Sequence, residues 1–515
     1  MNNQDKKMIS ACTSESAISL FKEISCEHPL DSTIINLLKT LGSSIKDDDD
    51  DYEIFRHRDK TDHLWGLLLE KSIKCLRHYD TREPFSTNDS KSPRAYGIDD
   101  LKVYYNKYAD FERILYGSSR YYRDHIIHVL RTWLSGIELL VKNSGAALDK
   151  IKIADKKIPI TINVAEKISI WTIIALTHDL GYPLQKAKSI IDITQDMLSS
   201  FITNPNVSAD FAFHGVQNYM NDFIVRLMSS KMEQRTSHIN ALSDATQNEY
   251  YVARLQSKYY FKFQKSLERN HHGILSTLII YKLLTYFLES DYNINEDYVF
   301  SEEECRQFYI RREILRAIAS HTCDDIYQMY MGSFAFLLRI CDDTQEWGRK
   351  NISELYISST QEYELQDIAL VFNDGSANEC KIIENITIPR QDNVPDLIAR
   401  FYEQALVYVT IFRDGQDTTS RDFSFKRTLN IKQDKIFMEL VLEIDRDTAS
   451  KLNGKVTFTS DASKNEPYGP TFYSSLYDKL HVTVNHKLLD AYNMPASEKS
   501  PERWATCEFD IPLSV

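Results

Sequence analysis

The sequence has few of the residues that build small stapled folds. Its eight cysteines, Cys12, Cys26, Cys75, Cys305, Cys323, Cys341, Cys380 and Cys507, are scattered and form no CxxC pair. Neither a zinc knuckle nor a disulfide framework is indicated. Glycine (15) and proline (13) are scarce in a chain of 515 residues, which excludes fibrous and low-complexity classes. A basic excess is missing as well. The formal net charge of −13 argues against extended DNA or RNA contact, so nucleic acid is not favoured as a partner. That balance still leaves room for a local basic pocket that takes a nucleotide. The best apolar run, around Ile168 to Leu180, is too short to span a bilayer and ends in charge, so no membrane partner is expected. The opening MNNQDKKMISACTSES has no apolar stretch of the secretory kind. A reduced, cytoplasmic setting is the expectation.

What is present is an ordinary globular composition, 43% hydrophobic and 26% charged, in a chain too long for one compact core. Two or three domains are expected, and three zones can be drawn. Residues 1–95 form an N-terminal helical extension, with helical patterns such as SAISLFKEI, STIINLLKTL and HLWGLLLEKSIKCLRHY. The run DDDDDYE (Asp47 to Glu53) reads as a solvated loop and REPFSTNDSKSPRAYG as a linker. Residues 96–350 carry apolar positions three and four apart, as in DHIIHVLRTWLSGIELL, AEKISIWTIIALTHDL, HGILSTLIIYKLLTYFL and RREILRAIASH. That spacing predicts a helical domain, with IKIADKKIPITINV as a short hairpin between helices. Residues 351–515 change character: DIALVFN, CKIIENITI, KIFMELVLEI, GKVTFTS and KLHVTVNH read as strands, and VPDLIARFYEQALVYVTI as a helix among them. The fold class is therefore multidomain and mainly α, with a central all-α bundle and a C-terminal α+β domain. That last domain holds no catalytic motif, and oligomerisation of the chain or docking of a partner is its expected role.

The helical zone places its strong ligand side chains at the ends of apolar helices or inside them. His125 and His128 are three apart, hence on one face of a helix. His178 and Asp179 stand in tandem within ALTHDLGYPL. His271 and His272 open the helix HGILSTLIIYKLL, His321 closes RREILRAIASH, and Asp342 and Asp343 lie in LLRICDDTQEWGR. Each one taken singly is an ordinary core or surface residue. Together they bury several imidazoles and carboxylates, and such groups need partners. A metal supplies a partner to several at once, and mixed imidazole and carboxylate donors suit divalent transition metals. His214 and His238 fit no helix-end pattern and read as ordinary.

This order resembles the HD superfamily of metal-dependent phosphohydrolases. HVLR (His128 to Arg131) is similar to the family's first motif, THDLGYP to its defining His-Asp motif, HHGILS to the start of a later helix, and LLRICDDTQEW to the last motif. The resemblance covers roughly residues 120 to 350. It implies a mostly helical fold around a metal centre in which His128, His178, Asp179 and Asp342 are the basic ligands. His272 and His321 match the extra ligands of two-metal members, in which Asp179 is shared by both ions. The implied cofactors are two divalent ions drawn from Mn, Fe, Mg, Co or Ni. His125 and His271 are ambiguous neighbours, with the Gly after His272 favouring His272.

A two-metal site suits attack at phosphorus by a bridging hydroxide, with Asp179 positioning the nucleophile and an Arg or Lys holding the phosphate. Arg131 and Lys186 are the expected phosphate binders; Arg123 and Arg349 are weaker options. The substrate expected is a nucleotide or cyclic nucleotide, cleaved as by a phosphodiesterase or phosphatase. A deoxynucleotide triphosphohydrolase is the first alternative, yet Tyr182 and Ala187 stand where that branch has histidines. A nuclease, a non-catalytic nucleotide sensor and an iron oxygenase of similar ligands are the others. TYFLESDYNINEDYVF is a potential lid.

Overall fold

The computed structural model describes residues 2–24, 30–45, 54–80, 97–118, 123–153, 158, 160–203, 206–207, 216–237, 248–288, 298–323, 331–347, 349, 362–373, 378–388, 397, 401, 423–433, 436–445, 451–460 and 504–512. The chain opens with α1 (Asn3–Cys12), α2 (Glu15–Ile24), α3 (Leu30–Ser44), α4 (Ile54–His78), α5 (Ile98–Ser118), α6 (Ile126–Lys150), α7 (Val164–Thr177), α8 (Tyr182–Ser199) and α9 (Val216–Ser229). A hairpin follows, β1 (Ser230–Ser237) with β2 (Asn248–Leu255). Next come α10 (Ser257–Glu268), α11 (His272–Leu283), α12 (Thr285–Leu288), α13 (Glu302–Ser320) and α14 (Phe334–Asp343). The last part is β3 (Glu362–Val371), β4 (Asn378–Thr387), β5 (Phe423–Gln433), β6 (Ile436–Asp445), β7 (Lys451–Ser460) and β8 (Trp504–Pro512).

Helix α7 is the axis of the helical body. Its start is set by a capping box: Asn163 accepts from the Glu166 amide, and the Glu166 carboxylate accepts from the Asn163 amide. Every residue from Ala165 to Thr177 is buried, the signature of a helix surrounded on all sides. Gly136 on α6 allows close approach on one flank, since a Cβ there would lie 2.1 Å from the Trp171 ring. Two indoles lock that contact: Trp133 Nε1 donates to Thr172 Oγ1 at 3.0 Å and Trp171 Nε1 to the Trp133 carbonyl at 3.2 Å. On another flank, Trp65 Nε1 of α4 donates to the Leu176 carbonyl at 2.8 Å.

The N-terminal helices share this core. Met8, Ile9, Cys12, Leu64, Trp65 and Leu69 belong to the same buried cluster as α6, α7 and α13. Asp5 of α1 is fully buried and accepts from Arg131 of α6 through both oxygens, at 2.7 Å each. The boundary drawn at residue 95 is therefore not a break in packing.

The C-terminal strands form one sheet in the order β3-β4-β5-β6-β7-β8. The β4–β5 pair is parallel and the other pairs are antiparallel. The sheet meets the helices where Lys142 Nζ reaches Asp367 Oδ1 at 2.7 Å and the Ile368 carbonyl at 2.8 Å. A buried pair, Arg427 Nε to Glu384 Oε2 at 2.7 Å, crosses β4 and β5.

The mainly helical class with a C-terminal sheet agrees with the sequence reading. Two local expectations do not. IKIADKKIPITINV forms no strand among its described residues; Ile151, Ile153, Ile158 and Ile162 are buried, and the Lys152 amide donates to the Gly332 carbonyl instead of a hairpin partner. The hairpin of the helical zone is β1–β2, whose polar sequence gave no strand signal and whose buried apolar residues are Met232, Tyr251, Val252 and Ala253. The acidic run, the 82–96 linker, residues 289–297 of the potential lid, KLHVTVNH, His214 and His238 lie outside the described residues, as does the expected helix of VPDLIARFYEQALVYVTI apart from Leu397 and Phe401. No described helix is long and apolar enough to cross a membrane.

Candidate metal centre

Four helix ends meet beside α7. His128 lies in the first turn of α6, whose N-cap is His125. His178 caps the C-terminus of α7, so the helix ends at the His-Asp pair. His272 opens α11, His321 caps the end of α13, and Asp342 lies in the last turn of α14. The turn 178–181 is fastened to α11 by Ser276, which accepts from the Gly181 amide at 2.8 Å and donates to the His178 carbonyl at 2.6 Å. Position 181 must be glycine for this approach: a Cβ would lie 2.4 Å from the His272 carbonyl oxygen and 2.6 Å from Leu275 Cβ.

The six side chains expected as ligands converge. His128 Nε2 lies 2.9 Å from Asp342 Oδ1 and 3.5 Å from Asp179 Oδ2. His178 Nε2 lies 3.4 Å from Asp179 Oδ2 and 3.7 Å from Asp342 Oδ1. On the other carboxylate oxygen, Asp179 Oδ1 is 3.2 Å from His272 Nε2 and 3.6 Å from His321 Nε2. Three overlapping sets have ligand atoms all within 4.8 Å of one another: His128, His178 and Asp179; His178, His321 and Asp342; Asp179, His272 and His321. Asp179 thus faces two groups of imidazoles, one with each oxygen.

The outer nitrogens explain why every Nε2 points inward. His128 Nδ1 donates to Gln345 Oε1, and Gln345 Nε2 donates to the Trp347 carbonyl at 3.1 Å, which fixes the amide's orientation. His178 Nδ1 donates to the Ala175 carbonyl at 2.9 Å and His321 Nδ1 to the Ile318 carbonyl at 2.5 Å. His272 Nδ1 donates to Gln185 Oε1 at 2.8 Å, an oxygen that also accepts from the His272 amide. Each Nδ1 is committed to an acceptor oxygen, which aims Nε2 at the centre, as in histidine ligands with oriented outer shells.

The electrostatics of the cluster couple its carboxylates and imidazoles tightly. Burial works against charge on Asp179 and Asp342, yet the surrounding imidazoles, His178 foremost for Asp179, hold both carboxyls well below their ordinary range. Burial also opposes charge on His178, but Asp179 and then Asp342 outweigh it and push this ring up to about 9. Burial prevails at His128 and His272, which are lowered. His178 Nε2 is buried and has no hydrogen-bond partner, the state of a donor atom shaped for a ligand other than protein. Imidazole nitrogens and carboxylate oxygens this close together could hold a metal ion.

A pocket of about 290 Å³ opens onto the cluster, lined by Arg123, His125, Asp179, Tyr182, His272, Asp342 and Arg349. Of the phosphate binders expected from sequence, Arg131 is turned away and committed to Asp5. Lys186 stands over the Tyr182 ring at 5.2 Å and is absent from the pocket wall. The two weaker options, Arg123 and Arg349, are the cations that line it. Arg123 pairs with Glu346; Arg349 forms no ion pair with a described residue, and its buried Nε has no hydrogen-bond partner. His125 stacks on Tyr182 at 3.9 Å and its Nδ1 is 3.3 Å from Glu112 Oε1. It walls the pocket and belongs to none of the ligand sets. His271 bonds Ser266 at 3.1 Å and lies outside these sets. Sequence reading missed Gln185, Gln345 and Ser276. Gln345 falls three residues after Asp342, so helical spacing from a ligand was the available signal.

No family model matches the chain, and neither a curated protein nor a solved structure does. The His/Asp cluster is compatible with an HD-type centre, and it stands on its own geometry.

Proposed function

We propose that this chain is a metal-dependent phosphohydrolase of the HD type, acting on a nucleotide or cyclic nucleotide as a phosphodiesterase or phosphatase. One observation carries the reading: four imidazole Nε2 atoms, each with its Nδ1 committed elsewhere, converge on Asp179 and Asp342. Two divalent ions fit the arrangement. His128, His178, Asp179 and Asp342 would hold one; Asp179, His272 and His321 would hold the other. Ions bound there supply Lewis acidity toward a phosphoryl oxygen and a water of lowered pKa.

The chain's own residues do the rest. Asp179 sits between both ligand groups, so one carboxylate fixes their separation. Arg349 offers an open planar fork at the mouth, the geometry that matches phosphate oxygens. Arg123 adds a second cation whose tie to Glu346 holds it at the rim. Tyr182 and His125 form an aromatic wall against which a base or sugar can lie. A volume of about 290 Å³ lies at the small end of ligand sites and suits one nucleotide better than a strand of nucleic acid.

The test is metal analysis of the purified chain, followed by incubation with cyclic nucleotides, dinucleotides, deoxynucleoside triphosphates and single-stranded DNA in Mn²⁺. Bound Mn, Fe or a similar ion with release of a nucleoside monophosphate or inorganic phosphate is the expected result. Tripolyphosphate release would transfer the chain to the triphosphohydrolase branch, and strand degradation to the nucleases. Saturable binding without product would make it a sensor. A stable, metal-free protein that still hydrolyses would sink the reading.

A further inference from the structure

Helix α13 carries four arginines with two different fates. Arg306 pairs with Glu166 at 2.5 Å, and Arg311 reaches Asp80 at 3.4 Å and Gln307 at 2.9 Å. Arg312 and Arg316, four apart and so on one face, form no ion pair with any described residue. Arg312 is only 5% exposed, yet the sole hydrogen bond of its side chain among the described residues is Nη1 to the Ser230 carbonyl at 3.1 Å. Arg316 is half-buried and its Nη2 donates to Gln256 Oε1 at 3.2 Å. The Nε of each is buried without a hydrogen-bond partner.

These two guanidiniums converge on one place. Ser230 begins β1, Leu255 ends β2 opposite it, and the Gln256 amide donates to the Ser229 carbonyl at 3.0 Å. Both arginines therefore reach the base of the hairpin. Each also lies on a buried tyrosine face: Arg312 over Tyr309 at 4.4 Å, Arg316 over Tyr259 at 4.1 Å. Tyr309 is pinned to the same spot, its hydroxyl accepting from the Met232 amide at 3.1 Å. Helix α10 starts here at Gln256 with no side-chain cap, so its N-terminal amides add positive potential. The carboxylate between the arginines in sequence, Glu313, makes no ion pair with either, and burial raises its pKa against their pull.

Two like charges in one buried face without an ion-paired carboxylate are costly unless a ligand supplies the opposite charge. Aromatic stacking offsets part of that cost, and it fixes the planar forks without using their in-plane donors. We propose that Arg312 and Arg316 form an anion site at the base of the β1–β2 hairpin that takes a small phosphate-type oxyanion. With Arg312 so little exposed, a small anion can reach it and an extended surface cannot. The site lies apart from the His/Asp pocket, whose wall contains neither residue, and it stands whether or not the metal reading does.

The experiment is calorimetric titration of pyrophosphate onto the full chain in EDTA. The variants are R316Q, R312Q and, as a control in the other pocket, R349Q. Saturable binding that weakens about 10-fold or more in R316Q and R312Q, the worth of a charge-assisted hydrogen bond, is the expected result, with that binding retained in R349Q. Binding unaltered by both α13 substitutions overturns the proposal, and so does the lack of saturable binding by the unaltered chain. Circular dichroism checks folding. Should R316Q not fold, R316K keeps the charge and loses the fork; affinity equal to that of the unaltered chain would again overturn the proposal.

Discussion

His272 Nε2 and His321 Nε2 lie 3.1 Å apart, each on a ring whose Nδ1 already donates elsewhere. Two lone pairs at that distance repel unless a positive charge sits between or beside them. Asp179 Oδ1, 3.2 Å and 3.6 Å from the two nitrogens, shows where it would sit. Removing that charge is therefore costly. Chelation is expected to lower the melting temperature, because an ion at a thousand times its Kd stabilises by about 4 kcal/mol. Asp179→Ala is expected to lose metal entirely and His272→Ala only in part, with circular dichroism unchanged in both. Elemental analysis of the three proteins checks this, and full metal content in Asp179→Ala would refute it.

Gln185 holds its ligand from outside. Its Oε1 accepts from both the amide and the Nδ1 of His272, so one side chain fixes a backbone and a ring. Gln185→Leu keeps the volume and deletes the acceptor. Loss of such an outer partner costs metal sites about 10–100-fold in affinity. A competition titration with a chelating dye measures it. Gln345→Leu, acting on His128, is expected to behave alike at the other group of ligands.

Much of this centre was legible because local periodicity carried it. His128, His178, His272, His321 and Asp342 each mark the end or first turn of an apolar helix, and such helices converge when their buried faces pack. What remained hidden depends on contacts distant in sequence. Arg131 follows His128 by three residues and shares its helix face, so it looked like a site residue. Its partner is Asp5, 126 positions away, and no local pattern could show that. Arg349 has the opposite history, an arginine just after α14 that only the folded chain brings to the pocket. The hairpin β1–β2 escaped because its buried apolar positions, Met232, Tyr251, Val252 and Ala253, are few and do not alternate with polar ones.

Gly181→Ala tests the turn that carries the His-Asp pair. The added methyl would lie 2.4 Å from the His272 carbonyl oxygen, backbone that cannot step aside without moving α11. Ser276, which bonds both the Gly181 amide and the His178 carbonyl, would be displaced with it. The expected outcome is loss of metal from a chain that remains helical. Metal content equal to that of the unaltered protein would show that α11 can move freely.

Arg349 and Arg131 are expected to separate function from stability. Arg349→Gln removes a pocket cation without a described ion pair, so KM is expected to rise about 10-fold or more while the melting temperature holds. Arg131→Met leaves Asp5 buried without its partner, and breaking such a pair costs about 3–5 kcal/mol. Denaturant unfolding beside steady-state kinetics on the active substrate reads both variants. A raised KM in Arg131→Met with unchanged stability would reverse the assignment.

The same pair sets an acid limit on the fold. Burial alone would raise the Asp5 carboxyl, but the charge and hydrogen bonds of Arg131 outweigh it and hold it below its ordinary value. A carboxylate depressed in the folded state contributes fully above the unfolded pKa near ~3.9 and loses that contribution as pH falls through the folded value. Asp5 also accepts from Trp347 Nε1 at 3.1 Å, so its protonation loosens α1, α6 and the segment after α14 together. Stability in EDTA is therefore expected to fall below about pH 4. In Asp5→Asn the Asp5 part of that fall disappears, leaving a lower but flatter profile between about pH 5 and 2. Urea midpoints across that range for both proteins measure it, and parallel profiles would show that other carboxylates govern the acid transition.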